Sequence, residues 1–147
     1  MSTADWVLEV AKLRDEASDA LDAEAFEDAT ARIGRAFAIV DANHGEAHIV
    51  HASLICVAAD MSLIVGELEA ATRLYDRALQ IVEAQTADSP LAAKALNGLA
   101  IVDKAEGRFG SAEQRFRRAL SILESSSHPD AELGRAAIRS ALMELKT

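Results

Sequence analysis

Residues 66–79 read GELEAATRLYDRAL, and residues 107–120 repeat the pattern as GRFGSAEQRFRRAL. Six positions match at a constant displacement of 41: Gly, Leu or Phe, Ala, Tyr or Phe, Ala and Leu. A weaker copy, displaced by 42, has Glu24 in place of the glycine and then Phe26, Ala29, Ile33, Ala36 and Phe37. Three units in register predict a repeat protein.

The spacing inside the unit indicates an α-helix. The apolar residues of the last copy stand at intervals of three, four, three and one, which is one stripe of a helix: Phe109, Ala112, Phe116, Ala119 and Leu120. Gly66 and Gly107 precede the stripes, where a glycine takes positive φ and ends the preceding helix. Each unit therefore predicts a helix, a short turn and a second helix.

We predict one all-α domain over residues 1–147, with helices at about 4–21, 25–41, 46–64, 67–86, 90–105, 109–125 and 130–145. The first six form three antiparallel pairs at about 4–41, 46–86 and 90–125, and the seventh caps the last pair. Proline in Ser89-Pro90 and His128-Pro129 suits a helix start. The apolar side expected to cover the open end comprises Leu133, Ala137, Ile138, Ala141 and Leu145.

Composition and charge narrow the classes of function. The net charge is −9, and most of the acidic excess lies in the first third of the chain. Nucleic-acid binding and anionic membrane surfaces both need a basic footprint, so neither is expected. The single cysteine excludes an intrachain disulfide, and we expect neither a signal peptide nor a membrane-spanning stretch. We expect a cytoplasmic protein.

The third unit resembles a tetratricopeptide repeat (TPR). The resemblance rests on an ordered set of residues: Leu96, Leu99, Ala100, Gly107, Phe109, Ala112, Phe116, Ala119 and Leu120. The long spacing, and the segment LNGLA at 96–100, are similar to the longer units of the kinesin-light-chain type. Asp103 departs from the family pattern, which favours an aromatic residue at that position.

The resemblance implies a right-handed superhelix whose concave groove is lined by the first helix of each pair. Such grooves bind extended peptides or partner helices. Matching the motif places Arg14, Asp15, Ser18 and Asp22 there from the first pair. The second pair adds Ser53, Cys56, Val57, Asp60, Leu63 and Ile64, and the third adds Lys94, Asn97, Ile101 and Lys104.

The helix at 46–64 is apolar almost all round, which predicts burial on most sides. Three explanations stay open. It could be the central helix covered by its neighbours or by the capping helix, the floor of a ligand-binding groove, or a dimer interface.

Other clusters favour structural roles. His44, His48 and His51 lack the spacing of a tetrahedral metal site, so we expect no metal. The arginines at 108, 115, 117 and 118 predict a solvated face paired with acids. Cys56 lies among apolar residues that raise a thiol pKa, so it should be inert. No catalytic motif is present, which predicts neither an enzyme nor a cofactor.

The first functional hypothesis is therefore an adaptor or scaffold that holds a peptide or helix of another protein in its groove. Lys94, Asn97 and Lys104 share one helix face, where Asn can bind a peptide backbone and Lys a carboxylate. The alternative is a structural homo-oligomer, such as a homodimer, that uses the helix at 46–64 or the capping helix as its interface.

Overall fold

A computed structural model describes residues 2–85, 89–129 and 131–146. Its regular elements within those ranges are all α-helices, which confirms the all-α class. In chain order they are α1 (Thr3–Asp22), α2 (Phe26–Ala42), α3 (Ile49–Ile64), α4 (Leu68–Gln85), α5 (Pro90–Ala105), α6 (Phe109–Glu124) and α7 (Ala131–Leu145). The described bounds lie within three residues of the predicted ones. The predicted termini at residues 86 and 130 fall outside the described residues.

The turns inside the three helix pairs share one geometry. The residue after each turn donates its N–H to a carbonyl five residues earlier, at 2.8 Å in all three cases: Ala25 to Ala20, Glu67 to Ser62 and Arg108 to Asp103. The residue before each donor has positive φ, at 59° for Glu24, 83° for Gly66 and 81° for Gly107. This is a Schellman-type end of the helix, as predicted for the two glycines.

The predicted helix start at Ser89-Pro90 is also confirmed. The Ser89 hydroxyl accepts a hydrogen bond from the N–H of Ala92 at 3.2 Å, and Pro90 is the first residue of α5. The helix α7 begins two residues after Pro129.

The repeated alanines form the closest helix contacts. All six are fully buried: Ala29, Ala36, Ala71, Ala78, Ala112 and Ala119. The aromatic ring between two of them, Tyr75 in α4 and Phe116 in α6, is buried as well. The predicted stripe is wrong at Phe109, which is 55% exposed because it is the first residue of α6 and lies at the rim of the core.

The helices stack in the order of the sequence. The two members of each pair pack together, and the first helices also form a row in which α1 contacts α3 and α3 contacts α5. Each second helix contacts the first helix of the next pair, so α3 touches α1, α2, α4 and α5. Ten residues of α3 are buried as a result. Packing within the chain therefore buries most of the apolar residues of this helix, while Ile64 at its end is exposed.

The last helix, α7, packs against α6. Three of its residues are buried: Ala131, Ile138 and Leu142. The predicted apolar side is wrong at Leu133 and Ala137, which are exposed. Leu133 lies five residues from Ile138, about 140° around the helix, so one face cannot bury both side chains.

Candidate functional site

A groove of about 590 Å³ opens along α1, α3, α5 and α7. Five of the predicted binding residues line it: Arg14, Ser18, Val57, Lys94 and Asn97. Asp15 and Ser53, expected in the same groove, line it too. The fold therefore brings together side chains from three successive first helices.

A smaller hollow of about 260 Å³ lies between the C-terminal ends of α1 and α3. Three further predicted residues, Asp60, Leu63 and Ile64, line it together with Asp22. Ser18 lines both the hollow and the groove, so the two are neighbours.

The groove prediction is wrong for Cys56. This side chain is fully buried, and burial raises the pKa of its thiol to about 12, with the charge of Lys94 acting in the opposite direction. A thiol with that pKa stays protonated and unreactive at neutral pH, as the sequence predicts. Cys56 is buried because α3 lies between α1 and α5 in the row of first helices.

Two predicted residues of α5, Ile101 and Lys104, do not line the groove. The Nζ atom of Lys104 lies 2.9 Å from Oε2 of Glu144, and this ion pair ties α5 to the C-terminal half of α7. Ile101 is partly exposed further along the same helix.

The two cations of the groove are both paired with acids of this chain. Arg14 donates from Nη2 and Nε to Oδ1 of Asp15, at 2.9 and 3.0 Å, and from Nη1 to the hydroxyl of Ser53 at 3.0 Å. The Nζ atom of Lys94 lies 3.5 Å from Oδ2 of Asp60. Exposed ion pairs of this kind contribute little stability, but they offset the local charge.

Asp60 also joins the groove to the core. Its Oδ1 accepts a hydrogen bond from the hydroxyl of Tyr75, whose ring lies against the backbone of Gly98 in α5. Burial raises the pKa of Tyr75, and the charge and hydrogen bond of Asp60 raise it further, so the phenol remains a neutral donor. Residues of α3, α4 and α5 therefore meet at one polar contact.

The three histidines serve the local structure. His44 has positive φ in the turn after α2, and Nδ1 of His48 accepts the N–H of Val50 at 3.0 Å. Nδ1 of His51 lies 2.6 Å from the carbonyl of Glu46. Within the described residues no cluster of His, Cys, Asp or Glu has the arrangement of a metal site.

The arginines near α6 are paired as predicted. Arg108 and Arg115 bind Asp103, while Arg117 and Arg118 lie 2.8 and 2.9 Å from the carboxylates of Glu113 and Glu83. Asp103 is 1% exposed, so a buried acid occupies the position where the family pattern favours an aromatic residue. It is the buried acceptor of a polar cluster whose two arginines are partly exposed.

The sequence prediction missed the contribution of α7. Gly134, Ala137 and Ile138 line the groove opposite α5. The signal was the lone glycine inside a helical pattern, which indicates close packing. A Cβ atom at Gly134 would lie 2.9 Å from Cδ1 of Leu123 in α6.

Comparison with known families supports the resemblance. No curated protein matches the chain, and no described helix is both long and apolar enough to cross a membrane. A family model described as the tetratricopeptide repeat matches residues 50–125, which cover the second and third helix pairs. The likeness to units of the kinesin-light-chain type stays a prediction. The match covers just over half of the chain, which therefore belongs to the tetratricopeptide repeat family.

Proposed function

We propose that this protein is an adaptor or scaffold that holds a segment of a partner protein in the groove along α1, α3, α5 and α7. TPR domains in general bind other proteins. The observation that carries the proposal is the open groove of about 590 Å³, a size that suits the side chains of a bound segment. We also propose that the two helices of each pair are antiparallel and that the pairs form a right-handed superhelix within a single domain.

Recognition in this proposal combines an apolar floor with one amide. Val57, Leu91 and Ile138 offer apolar surface along the groove. The side chain of Asn97 carries two donors and an acceptor, which match the N–H and C=O groups of a peptide backbone. Ser18 supplies a second uncharged polar group on the opposite wall.

We further propose that the protein is cytoplasmic and that it has neither a catalytic role nor a cofactor. In this proposal it binds neither nucleic acid nor membranes. TPR repeats are a non-catalytic fold for protein interaction. The net charge of −9 disfavours polyanions, and the arginines of α6 are paired with acids of the same chain.

Site-specific photo-crosslinking tests the groove. A photoreactive phenylalanine would replace Asn97 in the groove or, as the control, Arg77 on the exposed side of α4. After irradiation in extract of the source cells, we expect a protein crosslinked at position 97 and absent at position 77. Equal crosslinking at both positions, or none at position 97, would contradict groove binding.

Self-association through α7 is the second candidate function. The exposed fractions of Leu133 and Met143 are 76% and 72%, the two highest among the large apolar residues that the structure describes. If this face joins two copies, the double variant Leu133→Glu/Met143→Glu should halve the mass measured by light scattering. An unchanged mass in that variant would remove this candidate. The helix at 46–64 is the weaker interface, because most of its apolar residues are buried within the chain.

A further inference from the structure

The groove continues as a cleft between the N-terminal halves of α5 and α7. Helix α7 packs mainly against α6, with Gly134 close to Leu123, and makes little close backbone contact with α5. Towards the C-terminal ends, the ion pair between Lys104 and Glu144 bridges α5 and α7. The residues of α5 and α7 that line the groove lie in the N-terminal halves of both helices, so the cleft is the part of the groove between those halves.

The walls of the cleft are mostly apolar, with His128 as a polar member between α6 and α7. Leu91 of α5, Leu123 of α6 and Ile138 of α7 line it, with small residues such as Ala137 between them. Among the described residues of α5 to α7 that line the groove, Lys94 is the single Lys, Arg, Asp or Glu. Its ammonium group lies 3.5 Å from the carboxylate of Asp60.

The charges of the whole groove are balanced within the chain. Arg14 is held by Asp15, as Lys94 is by Asp60. A charged side chain of a partner would lose water on entering the cleft without finding an uncommitted opposite charge, which is unfavourable. Within the described residues, the side chains of Ser18 and Asn97 make no hydrogen bond, so they are two uncharged polar groups of the groove that a partner can bind.

We infer that the segment bound in the groove is uncharged, and that it inserts one large apolar side chain into the cleft between α5 and α7. Its backbone amides then meet the side chain of Asn97. The inference rests on the proposed function and narrows the class of partner to a neutral, apolar segment of another protein.

The experiment selects binders from a phage library of random dodecapeptides on the immobilised full chain. We expect enriched peptides with a net charge near zero and at least one large apolar residue. Kd is then measured by fluorescence anisotropy for synthetic copies of these peptides. Because no unpaired charge is used, we expect Kd to change by less than about threefold from low to high salt.

Two tryptophan variants form the matched pair for the cleft. Ala137 lines it, whereas the adjacent Ala136 is exposed and does not. Ala137→Trp should fill the cleft and raise Kd at least about tenfold, which corresponds to about 1.4 kcal/mol. Ala136→Trp should leave Kd unchanged. Circular dichroism of both variants verifies that they are folded.

Three outcomes would overturn the inference. Enrichment of acidic or basic peptides whose binding fails in high salt or in Lys94→Met would show recognition by charge. Groove binding that survives Ala137→Trp would place the anchor elsewhere. Either result would leave the proposed function standing if crosslinking at position 97 succeeds. Peptides that bind without any dependence on the groove, together with failed crosslinking, would remove both proposals.

Discussion

The second and third helix pairs, α3–α4 and α5–α6, have the same plan but place their polar contacts differently. In the second pair the hydroxyl of Tyr75 donates to Asp60. At the positions 41 residues later, the third pair has Phe116 and Ile101. Both members of the contact are replaced together, so neither pair leaves a buried hydroxyl without an acceptor.

The third pair has a polar cluster of its own. Asp103 accepts hydrogen bonds from Arg108 at 2.9 and 3.1 Å, from Ser111 at 2.7 Å and from Arg115 at 2.7 Å. The matching positions of the second pair hold Ser62, Glu67, Ala70 and Leu74. The buried alanines and the positive-φ turn recur in both pairs, whereas their polar contacts differ.

The largest effect is expected where the two pairs meet. The variant Gly98→Ala would place a Cβ atom inside the ring of Tyr75, whereas the matching position of the second pair tolerates Val57. We expect a loss of about 3 kcal/mol in the free energy of unfolding, measured in urea. The control Gly110→Ala, which meets no described atom within 4 Å, should change it by less than about 1 kcal/mol. Equal effects would contradict the close contact.

The variant Asp103→Ala tests the cluster of the third pair. It removes the acceptor of two arginines that remain partly exposed, so we expect a loss of about 2 kcal/mol. The matched variant Ser62→Ala in the second pair should cost less than about 1 kcal/mol. Thermal unfolding monitored by circular dichroism compares the two, and a larger loss for Ser62→Ala would reverse the interpretation.

The contact between Tyr75 and Asp60 in the second pair is tested by replacing both residues with those found at the matching positions of the third pair, Phe and Ile. Tyr75→Phe should cost about 1 kcal/mol, because Asp60 loses one donor but stays hydrated and close to Lys94. The double variant Tyr75→Phe/Asp60→Ile should be less destabilised than the sum of the two single variants. Additive losses in this double-mutant cycle, measured by urea unfolding, would show that the two residues are not coupled.

The smallest effect concerns the turn of the first pair. Glu24 takes the positive φ that Gly66 and Gly107 take in the later pairs. A non-glycine residue there is strained, so Glu24→Gly should raise the free energy of unfolding by about 1 kcal/mol. Gly107→Ala should lower it by a similar amount. A stabilising effect of Gly107→Ala in the same unfolding assay would contradict this account.

The periodic pattern predicted the helices and the buried alanines, because both repeat in every unit. It could not predict the difference between Cys56 and Asn97, which occupy the same repeat position. Cys56 is buried since α3 has a first helix packed on each side, whereas α7 leaves the side of α5 next to Asn97 open. The repeat pattern does not specify which helices pack on either side of a given residue.

The Asp103 cluster and the α7 wall were missed for a related reason. The sequence showed a group of arginines and an unexpected acid, but not that the acid reaches residues up to twelve positions later. The face that α7 turns towards α6 depends on Gly134 packing at Leu123, a three-dimensional fit that periodicity alone does not specify.

The stacking of helices in sequence order also has a kinetic consequence. Most contacts join elements that are adjacent along the chain, so few of them require the closure of a long loop. Helical proteins with such low contact order fold within roughly microseconds to milliseconds, and repeat arrays can nucleate at one unit and propagate to its neighbours. Since the Asp103 cluster closes within twelve residues, we expect the α5–α6 hairpin to be the nucleus from which folding spreads.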